Sequence, residues 1–525
     1  MSSLLRTAAE AYIRACAETA QGSPPRRQAA RERALSDGDA PSAMDWAFEC
    51  FAGYDFRAGH EALGLALQRD PGFLAARWLG FQYPLDPSPA STAEQAAYIE
   101  RWRAGLRWFE SQDFRRPELA GRVWGCVGSV TPFYLHYLDD AIPEMRRYGR
   151  LLARMMAALS PGLPQPQTRR PGPRRIAVPS THFREHTVAR LFLPLLEALD
   201  RRRFELHFLE LEPAAPDWAA RLEAAGHRHA GPRNPPQWLQ LLAAVQPDVV
   251  LYPEIGMHPL HQGLAALRLA PLQACLWGHP VTTGLPTIDC ALVPDALEPA
   301  DAASHYHERL IRLPGLGHGL APAPVRAPVE APEGVRRAEP GSLEILCGAS
   351  VFKLLPAQDT VFAEVLRALP QARLHLTPLL PDSAPLRERM RPAFAAAGVD
   401  IDSRVVMHPL MPLEQFQALA AACDFGLDSL GWSGGMSALD LLPQGLPIVA
   451  VEGPTMRSRQ TAALLRWLDA PELVARDTAG MQAIARRLGE QPEWREQLRE
   501  RLRANGPRLY ARPDTQAALE AFLAG

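Results

Sequence analysis

Asp428-Ser429-Leu430-Gly431-Trp432-Ser433-Gly434-Gly435-Met436-Ser437-Ala438-Leu439-Asp440 follows the short apolar run Phe425–Leu427. The run reads as a buried strand, the glycine-bearing stretch as a turn, and Gly435 to Gln444 as a helix. Unpaired backbone N–H groups and the helix dipole make such a helix start suited to phosphate. Gly434 and Gly435 let an anion approach the main chain closely. Ser437 adds a hydroxyl, and Asp440, one turn on, could accept from ribose hydroxyls. Taken alone, the same pattern also fits an ordinary strand-to-helix turn.

Working outward, strand and helix patterns alternate on both sides. After the turn comes a strand at Ile448–Val451, and then mostly helix. Before it come a strand at Leu343–Cys347, a helix over Ala357–Leu369, strands at Ala372–Leu376 and Arg404–Met407, and a helix over Leu413–Ala422. A second alternating block lies upstream, with strands at Arg175–Pro179, Phe204–Leu209, Asp248–Tyr252 and Leu272–Leu276. Its helices fall at Val188–Leu199, where Pro194 is a disturbance, and at Trp238–Val245. This texture predicts two doubly wound parallel domains, residues 175–320 and 341–525, with ligands at strand C-termini between them. A Pro-rich stretch, Ala321–Gly341, joins the two. Another, Ser160–Arg175, separates them from an Ala- and Leu-rich, all-α region over residues 1–165 that could be TPR-like. There Asp55–Pro71 resembles one helix-turn-helix repeat, without a clean second copy. Gly22–Ser42 and Leu85–Thr92 read as loops.

Composition narrows the chemistry. Lys and Arg total 56 against 58 Asp and Glu, so the chain is not a nucleic-acid-binding polycation. No apolar run approaches the length of a membrane span. The seven cysteines have no CxxC spacing, which fits a reducing, cytoplasmic compartment. Lys353 is the only lysine. A compact ammonium differs from the planar fork of arginine, so Lys353 reads either as a product of codon bias or as a position where arginine fails. It follows the strand Leu343–Cys347, on the sheet edge that carries Gly434–Ser437, and the two together could clamp a diphosphate.

Two further loops carry candidate chemistry. Ser180-Thr181-His182-Phe183-Arg184-Glu185-His186-Thr187 leads from a strand into a helix, and its histidines could serve as base or hydrogen-bond donors or could be structural. Trp277–Asp289 is dense in Gly, Pro and Thr and reads either as a rigid binding loop, with His279, Thr282 and Thr283 as acceptor-side candidates, or as a structural turn without a ligand. Asp37/Asp39 and Asp400/Asp402 have DxD spacing in unsuitable settings. His227/His229 and His305/His307 have HxH spacing with no third ligand nearby in sequence. No metal ligand set is read.

Four of these segments, in order, resemble the O-linked N-acetylglucosaminyltransferase family, whose bacterial relatives include N-glycosyltransferases. They are Val351–Pro356 around Lys353, the Trp277–Asp289 loop, the block Asp424–Asp440, and Gly453-Pro454-Thr455-Met456-Arg457-Ser458-Arg459. Thr131-Pro132-Phe133-Tyr134-Leu135-His136-Tyr137-Leu138 looks like the helical stretch before the catalytic domains of the N-glycosyltransferase-like members. The resemblance implies a GT-B fold, an α/β glycosyltransferase architecture of two Rossmann-like domains, and metal-independent, inverting transfer from a UDP-sugar co-substrate. It implies that Lys353 contacts the donor phosphates, that Gly435, Met436 and Ser437 form the phosphate-binding helix start, and that Asp440 meets the ribose. Met411 and Phe416 would border the uracil, Arg459 would belong to the donor side, and His186 would face the reacting centre. Gly435-Met436-Ser437 departs from the animal His-Thr-Thr run, and His182 stands where those enzymes have Asp, so the identity of the base is open. The expected acceptor is a protein Ser or Thr, recruited by the N-terminal helical region. Asn glucosylation, sugar-nucleotide epimerisation and an interaction protein with a degenerate donor site are the alternatives.

Overall fold

The computed structural model describes residues 21–138, 142–163, 166, 171–230, 235–322, 335, 341–380, 382–510 and 512–525. Seven strands form the first sheet: β1 (Arg174–Ser180), β2 (Phe204–Glu210), β3 (His227–Ala230), β4 (Val249–Tyr252), β5 (Leu272–Leu276), β6 (Cys290–Pro294) and β7 (Arg309–Leu313). Six form the second: β8 (Leu343–Cys347), β9 (Ala372–Leu376), β10 (Val405–Met407), β11 (Phe425–Leu427), β12 (Ile448–Val451) and β13 (Val474–Ala475). The orders are β3-β2-β1-β4-β5-β6-β7 and β10-β9-β8-β11-β12-β13, and the pairings are parallel. In each sheet the strand order reverses once, beside β1 and beside β8. A parallel sheet opens a crevice at such a point, beyond the carboxyl ends of its strands.

The central strands are apolar on both faces, and period-2 alternation divides their side chains between two cores. Val249 and Leu251 of β4, with Cys290 and Leu292 of β6, join a core that continues into the second αβ domain. Val250, Tyr252, Ala291 and Val293 face the other way and pack with the N-terminal helices. The helical region therefore shares one core with one face of the first sheet, together with that domain's own helices Pro235–Val245 and Pro259–Ala265. The backbones meet where the helix Ile142–Leu159 crosses the Thr282–Leu285 loop. A Cβ on Gly149 would lie 1.9 Å from the Gly284 carbonyl oxygen, so only glycine fits there.

Two readings change. Gly22–Ser42 is not a loop: Pro24–Asp37 is helical, and a second helix begins at Ala40. Pro24 and Pro25 occupy the first helical positions, where a missing N–H costs nothing, so proline starts this helix. The linker reading of Ser160–Arg175 ends too late, because Arg174 and Arg175 already belong to β1; Arg169 and Arg170, like most of the linker Ala321–Gly341, lie outside the described residues. Pro194 sits inside the helix Thr187–Glu197 without ending it. Among the described residues no helix is long and apolar enough to cross a membrane.

Candidate active site

The turn after β11 is organised by one buried carboxylate. Asp428 Oδ1 accepts from the amides of Gly434 at 2.7 Å and Ser429 at 2.9 Å, and Oδ2 accepts from Ser433 Oγ at 2.8 Å. Thr461 closes the ring: its amide donates to Ser433 Oγ at 2.8 Å and its hydroxyl to the Gly434 carbonyl at 3.0 Å. From the neighbouring helix, Gln358 receives the Leu430 amide at 2.8 Å. Burial pushes the Asp428 carboxyl up, against the lowering effect of its bonds to Ser433 and Gly434. The Gly434 amide is thus used internally. The amides of Met436 and Ser437, in the first turn of the helix Met436–Leu441, have no intrahelical acceptor.

Lys353 reaches this turn from the β8 side. Its Nζ donates to the Ser433 carbonyl at 3.0 Å. Burial pushes the ammonium down to about 8, while Asp428 pulls it up. Lys353, Ser437 and the Asp428 turn therefore meet at the strand-order reversal of the second sheet. A small crevice there is lined by Gly348, Ala349, Asp428, Gly434 and Ser437. Phe416 packs over Gly348, its ring 2.8 Å from where a Cβ would stand, and Met411 is half-buried against the same core.

Asp440 already has a partner. Arg190, on the helix Thr187–Glu197 of the first domain, holds both its oxygens, Nη2 to Oδ1 at 2.6 Å and Nη1 to Oδ2 at 3.1 Å. Arg459 is ion-paired with Glu452 at 2.6 Å.

At the carboxyl end of β1, His182 and His186 stack, centroids 4.0 Å apart and 12° between planes. His186 caps its helix: Nδ1 accepts the Val188 amide at 3.2 Å. A neutral His186 therefore carries its proton on Nε2 and offers a donor there. His182 differs, being buried with neither ring nitrogen hydrogen-bonded. Its Nε2 lies 3.5 Å from Glu254 Oε1. Burial lowers His182 to about 3 and His186 to about 4, so both rings are neutral near pH 7. Burial would push the Glu254 carboxyl up, but His261, His182 and His279 outweigh it and hold it at about 2. His261 Nδ1 lies 2.6 Å from Glu254, and its Nε2 bonds the Pro179 carbonyl at 2.7 Å.

The third loop is held on both sides. Thr282 Oγ1 donates to Glu308 at 2.7 Å and the Thr283 amide at 2.8 Å, while the Thr283 hydroxyl also bonds Glu308. His279 Nε2 meets His136 Nδ1 at 2.9 Å. Its ring tilts against Trp432 at 5.4 Å, and Trp432 stacks on Tyr137 at 4.3 Å.

Sequence reasoning missed Glu254, Arg190, Gln358 and Thr461. Glu254 carried a usable signal, a carboxylate two residues beyond the end of an apolar strand. Arg190, Gln358 and Thr461 sit inside helices and had none.

The model of the family named glycosyl transferase family 41 matches residues 341–509, the domain that carries this turn and Lys353. A solved structure, the O-GlcNAc transferase mutant of Thermobaculum terrenum, superposes with a TM-score of 0.72 at 25% identity over 95% of this chain and 92% of that one. The chain is similar to the O-GlcNAc transferases, and its C-terminal domain carries the family 41 match. Its architecture is GT-B, two Rossmann-like domains behind an all-α region. Two curated relatives of this O-GlcNAc transferase-like chain match over a shorter span. The rice protein named "Probable UDP-N-acetylglucosamine--peptide N-acetylglucosaminyltransferase SPINDLY" is 28% identical over 244 residues, 46% of this chain and 26% of its own length. The "UDP-glucose:protein N-beta-glucosyltransferase" of Actinobacillus pleuropneumoniae serotype 7 is 26% identical over 255 residues, 47% of this chain and 39% of its own. The alignments thus span about a quarter to two-fifths of these relatives' lengths.

Proposed function

We propose that this chain transfers a sugar, GlcNAc or a hexose, from a UDP-sugar to protein Ser or Thr side chains, with inversion and without a metal. One observation carries the reading: the only lysine is drawn into the Asp428 turn, beside the first-turn amides of Met436 and Ser437, at the strand-order reversal. Departure of UDP develops charge on the β-phosphate. Lys353 and those amides are preorganised donors for it. The acceptor hydroxyl attacks the anomeric carbon from the opposite face, the side to which this reading assigns His182. His182 is neutral and unpartnered, so it takes the acceptor's proton, and Glu254 steadies the imidazolium that forms. His186 donates from Nε2 to the substrates. The helical region binds the protein acceptor, in the cytoplasm.

Asn glucosylation is the second reading, favoured by the A. pleuropneumoniae relative's name and by the Thr131–Leu138 segment. Incubation with UDP-GlcNAc or UDP-glucose and a host-cell lysate, followed by mass spectrometry of the modified peptides, tests both. Sugar on Ser or Thr supports the first and sugar on Asn the second. Absence of UDP release with either donor overturns both.

A further inference from the structure

β3 is a four-residue edge strand paired with β2 alone, and its register sets His227 directly opposite His207 and His229 opposite Leu209. Residues two apart on a strand share a face, so Glu205 and His207 project on one side of β2, next to the imidazoles of β3. Glu205 Oε1 lies 3.2 Å from His207 Nε2 and 3.4 Å from His227 Nε2, and one ligand atom from each of the three residues falls within 4.8 Å of the others. Zinc–nitrogen and zinc–oxygen bonds of about 2.0–2.1 Å in a tetrahedral shell place neighbouring donor atoms about 3.3 Å apart. The two distances from Glu205 are those edge lengths.

The surroundings complete the arrangement. His207 Nδ1 meets His229 Nε2 at 3.0 Å. With a metal bound, His207 would donate its Nδ1 proton to His229 and present the Nε2 lone pair to the ion, the way a metal-bound imidazole is oriented by its outer partner. The other oxygen of Glu205 faces Arg175 Nε at 3.6 Å, which leaves Oε1 for a ligand. His207 is buried, whereas His227 is exposed at 61%, so the cluster has a rigid floor and an open rim. The HxH pair His227/His229 lacked a third ligand in the linear sequence, and sheet pairing supplies two.

We propose that Glu205, His207 and His227 form a binding site for one divalent transition metal of the zinc class, with a fourth position open to water. Two imidazoles and one carboxylate suit zinc and its neighbours and exclude calcium and magnesium, which take oxygen shells. The metal would clip the edge strand to the sheet, away from the cleft that holds Lys353.

The test is calorimetric titration of the full chain with zinc chloride after chelator treatment, alongside absorption spectra with cobalt(II). One equivalent of zinc and a visible band more intense than that of aqueous cobalt are expected. His227→Ala, at an exposed position that cannot disturb folding, and Glu205→Gln should each weaken binding at least tenfold. His229→Ala, which removes only the outer partner, should weaken it about 10-fold to 100-fold. No saturable zinc binding, or binding unchanged in both His227→Ala and Glu205→Gln, overturns the proposal.

Discussion

Arg190 and Asp440 form a two-point ion pair that joins the two αβ domains across the cleft, with contacts of 2.6 and 3.1 Å. Both side chains are largely buried, at 19% and 9% exposure, and Arg190 lies 3.9 Å from Glu185 as well. Asp440 is also the carboxylate proposed to meet the donor ribose, so on that proposal the ribose and Arg190 would draw on one group. Arg190→Ala should leave that carboxylate buried and unpaired. Breaking a fully buried pair costs about 3–5 kcal/mol, and partial exposure brings the expected loss to about 1–3 kcal/mol. Urea unfolding of wild type and variant checks this. Asp440→Asn should destabilise less and raise the donor KM more, because the amide keeps the shape but loses the charge.

Lys353→Ala should lower kcat by about 10²–10³, the cost of removing one preorganised donor to a developing anion, with thermal unfolding near that of wild type. Lys353→Arg should not rescue it, since a planar fork does not fit where a compact ammonium meets the Ser433 carbonyl. The pH profile carries a sign. Lys353 is charged below its pKa of about 8 and loses its proton above it. kcat/KM, which reports the free enzyme, should therefore fall as pH rises through 8. His182, with a pKa of about 3, should leave the profile flat from pH 5 to 7. A flat profile through pH 9 would sink the phosphate role of Lys353.

Much of this was legible because parallel strands buried on both faces read as short apolar runs bounded by turns. Ala372–Leu376, Phe425–Leu427 and Ile448–Val451 were read with the ends observed. β3, β6, β7 and β13 were not read as strands: His227-Arg228-His229-Ala230 is polar and Val474-Ala475 is two residues long, so neither has an apolar run to detect, Arg309 and Arg312 interrupt β7, and β6 is an apolar run that was not assigned as a strand. The candidate site was legible where chemistry is local, as in the Gly434–Ser437 turn and the lone lysine. It was not legible where it depends on pairing across the chain. Nothing near Asp440 announces Arg190, 250 residues away, and Thr282 and Thr283 read as ligand-facing until Glu308 is seen beneath them.

His182→Ala and His186→Ala should separate. If His182 takes the acceptor's proton, its loss should cut kcat by about 10²–10⁴ and leave the nucleotide-induced thermal shift intact. His186→Ala removes a helix cap, so it should cost about 1 kcal/mol of stability and a smaller share of kcat. Glu254→Gln should lower kcat without raising the donor KM, since Glu254 acts through His182. Equal kcat losses in the two histidine variants would make the stacked pair, rather than His182, the functional unit.

The Thr131–Leu138 segment reaches the donor side through Phe352, the neighbour of Lys353. Phe352 sits among Phe133, Tyr134, Tyr137 and Tyr54, with ring centroids at 5.6, 5.5, 5.8 and 5.9 Å. Tyr137 also stacks on Trp432, in the turn that Asp428 organises. A second tie runs from the Ser88 hydroxyl to the Leu354 carbonyl at 2.6 Å. The helical region thus holds the short Val351–Lys353 turn on both sides of the lysine, besides packing on the first sheet. Phe352→Ala should remove a half-buried ring from this cluster at about 2–3 kcal/mol, below the 3–5 kcal/mol of a fully buried phenylalanine. It should also cost kcat, because the ammonium loses its fixed position. Phe352→Leu, which fills much of the volume, should restore stability more than turnover. Equal recovery of both would mean that the cluster serves packing alone and that Lys353 is positioned by its bond to Ser433.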